Sequence, residues 1–288
     1  MQFTPKQLTQ LKNIELEMLD ELVRICDANG INYFLSGGTC LGAARHKGFI
    51  PWDDDIDVGM LREDYDRFAK VCKTELRNSF VFQDMGTEPS CGLVFGKIRK
   101  NGTVYSEIYS SHIAMSQGVW IDIFPYDRVS NDPSERVKQY RKVSLLKNLY
   151  IVKCGYKFPQ NKSEIQKAAY YVAKAMCLFI PRNWIISKID KAMRTYNQDE
   201  SCRYAMPFGG AYSIEVETEE LARLQALTPI EFEGKQYKTF ADWDGYLTKH
   251  YGDYMQLPPK EKRRAGVHYV KELKLPDRVE NVGVRVTP

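Results

Sequence analysis

No apolar run in this sequence is long enough to cross a bilayer: the most apolar stretch, Ala168 to Ile180, is short and interrupted by Lys174. The amino terminus, Met1-Gln2-Phe3-Thr4-Pro5-Lys6, lacks the apolar core of a secretory signal, so export by that route is not expected. There is no CxxC pair. The seven cysteines leave one over in any pairing scheme, which argues against a disulfide framework or a zinc knuckle. A strong charge excess is also missing: 41 Lys and Arg against 37 Asp and Glu give a net +4, well short of a dedicated nucleic-acid binder, and no nucleic-acid partner is expected. Internal repeats, low-complexity segments and clean linkers are absent too. What remains is a chain of 288 residues with ordinary apolar content, able to bury a sizeable core and expected in a reducing cytoplasm.

The first element is well marked. Thr4 as N-cap, Pro5 at the first helical position and Gln7 three residues after the cap make a capping-box pattern. Leu8, Leu11, Ile14, Met18, Leu22 and Ile25 then recur at helical spacing, with Gly30 as the stop. Ile31 to Leu35 reads as a short buried strand that feeds a Gly37-Gly38 turn and a short helix from about Thr39 to Arg45. Further strands are expected at Phe80 to Phe82, Leu93 to Arg99 and Val119 to Phe124, and a helix from Arg62 to Leu76. Mixed strands and helices indicate an α+β catalytic core over residues 1–131. Residues 132–200 turn helical and basic and are expected to form a helical subdomain. Residues 201–288 mix forms again, with a hairpin around Glu233-Gly234 and a short helix from Phe240 to His250, and complete the site.

Chemistry concentrates at Ser36-Gly37-Gly38-Thr39 and, shortly after, Gly48-Phe49-Ile50-Pro51-Trp52-Asp53-Asp54-Asp55-Ile56-Asp57. A glycine turn between a strand and a helix N-terminus presents free backbone N–H groups to phosphate. If the strand runs through Ile56 to Met60, period-two alternation puts Asp55 and Asp57 on one face with Cα atoms roughly 7 Å apart, and Asp54 on the other. Two carboxylates so placed suit a hard cation such as Mg²⁺, which also binds substrate phosphates. An acidic, solvated loop is the plainer reading. A third acid is expected on a neighbouring strand. Asp122 is the best candidate, because a carboxylate inside the apolar run Trp120 to Phe124 needs a partner; a structural ion pair with Lys or Arg, or a capping role, is the alternative.

The run Gly37 to Asp57, together with Trp120-Ile121-Asp122-Ile123-Phe124-Pro125 and Tyr251-Gly252-Asp253-Tyr254-Met255-Gln256-Leu257-Pro258-Pro259, resembles the LicD family, to which fukutin-type ribitol-phosphate transferases are related. The resemblance covers about residues 20 to 270 in three blocks. It implies a nucleotidyltransferase-like mixed β-sheet core, related to that of polymerase beta and aminoglycoside nucleotidyltransferases. It further implies transfer of phosphocholine or a similar phosphoalcohol from a CDP-activated donor, CDP-choline first, to a sugar hydroxyl of a cell-surface glycan precursor of the teichoic-acid or lipopolysaccharide kind. Asp55 and Asp57 match the metal-binding pair and Asp122 the third acid. The implied metal is Mg²⁺, with Mn²⁺ as the alternative.

Around that core, Gly37, Gly38 and Thr39 are expected to face the donor phosphates, with cations from Lys97, Arg99, Arg45 or His46. An exposed strand face is the alternative for Lys97 and Arg99. His268 follows a basic run and is a further candidate for donor or acceptor. A choline head group needs aromatic faces, for which Trp52 and Tyr254 are the first choices. The basic helical segment, from Lys138 through Lys162 to Arg182, could rest on the inner, anionic face of a membrane where a lipid-linked acceptor is displayed. Two other functions fit the same residues: a nucleotidyltransferase acting on a small molecule, and a non-catalytic nucleotide- or glycan-binding module.

Overall fold

A computed structural model describes residues 3–157, 163–263 and 269–276. Helix α1 (Pro5–Asn29) starts as its sequence dictates: Thr4 Oγ1 accepts the Gln7 N–H, and the Gln7 side-chain oxygen accepts the Thr4 N–H. Gly30 ends it in the left-handed conformation. Leu11, Ile14, Met18, Leu22 and Ile25 are fully buried on one side of the helix.

The chain continues through β1 (Phe34–Leu35), α2 (Gly37–His46), β2 (Asp57–Leu61), α3 (Arg62–Glu75), β3 (Phe80–Gln83), β4 (Gly96–Lys100), β5 (Val104–Glu107) and the long β6 (Trp120–Val129). Helices α4 (Pro133–Cys154), α5 (Glu164–Phe179) and α6 (Arg182–Met193) make up the helical segment. Then come β7 (Tyr204–Pro207), α7 (Ile214–Glu217), β8 (Glu219–Glu220), α8 (Leu221–Gln225), β9 (Leu227–Phe232), β10 (Lys235–Phe240), α9 (Trp243–Tyr251) and β11 (Val270–Lys274).

The principal sheet runs β1-β2-β6-β4-β3, and β7 pairs with the far half of β6 and with β8. Only β2 and β6 are parallel, so the sheet is mixed and the architecture is α+β. β7 and β8 lie beyond the helical segment in sequence yet join this sheet, whereas β9 with β10 and β11 with β5 form two separate two-stranded sheets. Val143, Tyr150, Ile185, Ile189 and Met193 of that segment share a core with Val129, Met206 and Phe208, which fastens the helices to the same sheet. Glu233 and Gly234 both adopt positive φ, the signature of a tight turn between β9 and β10. Among the described residues no helix is long and apolar enough to cross a membrane. All seven cysteines are free and buried.

Two strand expectations need correction. β2 begins at Asp57, so Asp55 lies in the preceding loop and the period-two argument does not reach it. The reason lies in the partner strand: after Leu35 the chain turns into α2, Ser36 N–H reaches the Asp57 carbonyl, and β1 offers nothing further to residues before Asp57. The strand foreseen from Leu93 starts only at Gly96.

The start of α3 is fastened by a buried ion pair. Arg62 donates through Nε and Nη2 to the two Asp127 oxygens at 2.7 and 2.6 Å, and Asn197 donates to the same carboxylate at 2.7 Å. Removing one member of such a pair leaves a buried charge without its partner. Asp127→Ala is therefore expected to lower unfolding free energy by about 3–5 kcal/mol. Glu135→Ala, which loses only the exposed pair with Lys138, should change it by less than about 1 kcal/mol. Urea denaturation of the two variants checks the contrast.

Candidate active site

Helix α2 points its N-terminus at the acid run. Gly37 adopts φ +52, and a Cβ there would lie 2.8 Å from Asp57 Oδ2; a Cβ on Gly38 would lie 2.9 Å from Asp53 Oδ2. The two carboxylates thus pack directly on the glycine turn, where the helix end carries partial positive charge. Thr39 holds the arrangement from behind, its Oγ1 accepting the Asp57 N–H at 2.8 Å.

Across the sheet, the register sets Asp57 of β2 opposite Asp122 of β6, and Asp122 opposite Lys97 of β4. Lys97 Nζ lies 2.6 Å from Asp122 Oδ1, with both side chains buried and the ammonium 4.1 Å from the Trp120 ring. Burial pushes the Lys97 pKa down while Asp122 pulls it up. Lys97 is therefore not on an exposed face, and Asp122 has the cationic partner that its alternative reading named.

The loop ahead of β2 is crowded with negative charge. Asp54 is buried and accepts the Tyr105 hydroxyl at 2.7 Å. Burial, then repulsion from Asp55 and Asp54, pushes the Asp53 carboxyl well above the usual carboxylate range. Buried Glu15 on α1 is raised for the same causes. Lys12, one helical turn earlier, holds the loop by donating to the Ile50 and Pro51 carbonyls at 3.0 and 3.2 Å.

These groups open onto one cavity of about 510 Å³. Gly37, Gly38, Asp53, Asp54, Asp55, Asp57 and Asp122 form its polar side. Aromatic rings line the same cavity, those of Phe95, Phe124, Tyr126, Tyr212, Tyr246 and Tyr251, together with Glu217. Tyr246 Oη accepts the Gly37 N–H at 2.9 Å and so ties α9 to the glycine turn. The Glu217 carboxylate accepts the Tyr212 N–H at 3.0 Å, and burial raises its pKa.

Of the residues singled out in the sequence, Asp55, Asp57, Asp122, Gly37 and Gly38 line this cavity, and Lys97 touches it through Asp122. Arg99 does not. Its guanidinium is buried, donating to Gln83 Oε1 at 2.6 Å and to the Gly118 carbonyl at 2.7 Å. Arg45 and Trp52 line a neighbouring cavity of about 650 Å³, where Arg45 donates to the Tyr254 carbonyl and to His46 Nε2. Position on α2 explains the displacement: Arg45 and His46 sit at its C-terminal end, roughly 12 Å from Gly37 by helical rise. Trp52 faces the Arg263 guanidinium at 5.5 Å, and the Tyr254 hydroxyl donates to Asp244, so neither belongs to the aromatic side of the acid cavity. His268 lies outside the described residues, as does Lys162.

Sequence reasoning missed Asp53, Glu217 and the aromatic wall. For Phe124 and Tyr126 a signal existed, since both follow Asp122 at period two on β6 and so share its face. Tyr212, Glu217 and Tyr246 come from later segments and nothing local marks them, while Tyr251 opens the third of the blocks that carry the resemblance, without a sign of where it points.

The fold and cavity define an α+β protein whose glycine turn at a helix N-terminus, carboxylates and aromatic rings line one cavity. The family model described as "LicD/FKTN/FKRP, nucleotidyltransferase domain" matches residues 30–161. The chain is 30% identical over 267 residues to lipopolysaccharide cholinephosphotransferase LicD of Haemophilus influenzae, covering 89% of this chain and 94% of that protein. It is 51% identical over 43 residues to human ribitol 5-phosphate transferase FKRP, covering 15% of this chain and 9% of that one, and 39% identical over 49 residues to mouse ribitol-5-phosphate transferase FKTN. The chain belongs to the LicD family.

Gly37→Ala should strain a left-handed residue and press its methyl against Asp57, with an expected loss of about 1–2 kcal/mol of stability. Gly30→Ala also places alanine at positive φ but meets no atom within 4 Å. A larger loss for Gly37→Ala in thermal denaturation would measure the contact with the carboxylate.

Proposed function

We propose that this protein transfers phosphocholine from CDP-choline to a sugar hydroxyl of a cell-surface glycan precursor, on the cytoplasmic side and with Mg²⁺ or Mn²⁺. The observation that carries the reading is a single cavity lined by carboxylates, a helix N-terminus and aromatic rings. CDP-choline carries a partner for each: a diphosphate for the helix N-terminus and a quaternary ammonium for the rings. The printed activity of the Haemophilus influenzae relative, a lipopolysaccharide cholinephosphotransferase, points the same way. The glycine turn at a helix N-terminus followed by a carboxylate strand supports a nucleotidyltransferase-like core.

Among the described residues no three His, Cys, Asp or Glu side chains form a ready metal cluster. The reading therefore rests on Asp55 and Asp57 as two oxygen donors, with donor phosphate and water completing the shell, an arrangement Mg²⁺ commonly adopts. The crowding that raises Asp53 is an observation in its favour, since a cation would relieve it. Bound there, the cation would supply charge neutralisation for the diphosphate and the departing CMP.

The chain's own groups have separate tasks. N–H groups at the α2 N-terminus orient the phosphates. Tyr212, Tyr251 and Phe124 receive the ammonium on their ring faces, with Glu217 as its counter-charge. The acceptor oxygen attacks phosphorus, the bond to CMP breaks, and Asp122, expected as a third ligand but paired here with Lys97, is assigned the acceptor's proton.

Separate incubations with CDP-choline, CDP-ribitol and CTP, each with Mg²⁺, test the donor. CMP release from CDP-choline is expected; pyrophosphate release from CTP alone would replace the reading with nucleotidyl transfer. Asp55→Ala and Asp57→Ala should each reduce turnover by about a hundredfold or more while the fold survives. Tyr212→Leu should weaken CDP-choline use between roughly twofold and thirtyfold, chiefly through KM, and leave CDP-ribitol use unchanged.

A further inference from the structure

Helix α5 is turned inside out. Ile165, Val172, Met176 and Phe179 are 82%, 61%, 53% and 88% exposed and fall on one stripe, which Tyr171 and Leu178 widen. The opposite side packs on α4 through buried Cys177, whose carbonyl accepts from Lys153. A surface helix ordinarily does the reverse, pointing its apolar stripe at the core. Exposed Trp184, just after α5 at the start of α6, extends the patch.

Charge identifies what covers it. Residues 133–194 contain fourteen Lys and Arg against three Asp and Glu, a net of +11; the whole chain is +4, so the remainder carries −7. A second copy docked on this face would set +11 against +11. An anionic lipid surface attracts the helical segment and repels the rest, which orients the molecule. At 16 residues α5 is about 24 Å long, too short to span and suited to lying in the interface.

We infer that α5 lies in the plane of an anionic bilayer, its Ile165–Val172–Phe179 stripe in the acyl boundary and Lys167 and Lys174 at the head groups. A second groove, of about 730 Å³, supports a use for that contact. It is lined by Asn183 and Ile186 of α6 and by Phe95, which also lines the acid cavity. A lipid-carried acceptor held along α6 in this groove would stand next to the acid cavity at Phe95; only this last step rests on the transferase reading.

Sedimentation of the full chain with phosphatidylglycerol-containing vesicles, without donor or acceptor, tests the contact. Binding is expected to anionic vesicles, to fall at least about tenfold on pure phosphatidylcholine or in high salt, and to fall similarly in Val172→Glu/Phe179→Glu with its melting temperature unchanged. Equal binding by wild type and variant would overturn the inference. So would a dimer, seen by light scattering, that the same substitutions dissociate without any vesicle binding. CMP release from CDP-choline, measured without vesicles, reports separately on catalysis.

Discussion

Parallel pairing of β2 with β6 sets Asp57 beside Asp122, and the antiparallel neighbour β4 brings Lys97 to the other side of Asp122. Adjacent strands are about 4.8 Å apart, so the row places two carboxylates and an ammonium within contact range on one buried face. A slip of one residue in either pairing would turn one of them to the far side of the sheet. The α1 and α3 helices, the loop at Asp53 to Asp55 and the turn at Gly37 are all arranged around that row.

So much negative charge in one interior region is costly unless it is compensated, and the compensation is visible piece by piece. Lys97 answers Asp122, the Tyr105 hydroxyl answers Asp54, and the α2 N-terminus faces Asp57 and Asp53. What is left over appears as the raised proton affinity of Asp53 and Glu15. A cation would relieve this crowding, and the aromatic residues that line the same cavity add ring faces beside the carboxylates.

The polar half of the cavity was legible because its signals are short-range: a glycine pair before a helix, acids at close spacing, and one acid inside an apolar strand. Asp55 shows the limit of such reading, since it reaches the cavity from a loop and not from the strand its spacing implied. Arg99 shows another. It shares a strand face with Lys97, yet Gln83 and the Gly118 carbonyl capture its guanidinium away from the cavity. Arg45 and Trp52 stand near Gly37 in sequence, but α2 carries Arg45, and the loop after it carries Trp52, to a different opening.

Local order was settled within the sequence: the capping box of α1, the Glu233-Gly234 turn, the glycine turn before α2 and the acid inside β6 each depend on residues a few positions apart, where backbone geometry alone governs contact. The tertiary structure alone decided which side chains meet. It joined Lys97 to Asp122, brought Tyr212, Glu217, Tyr246 and Tyr251 into the cavity from segments ninety or more residues beyond Asp122, and turned the apolar side of α5 outward. Those outcomes follow from strand register and from which faces are already covered by neighbours, and neither is encoded in spacing along the chain.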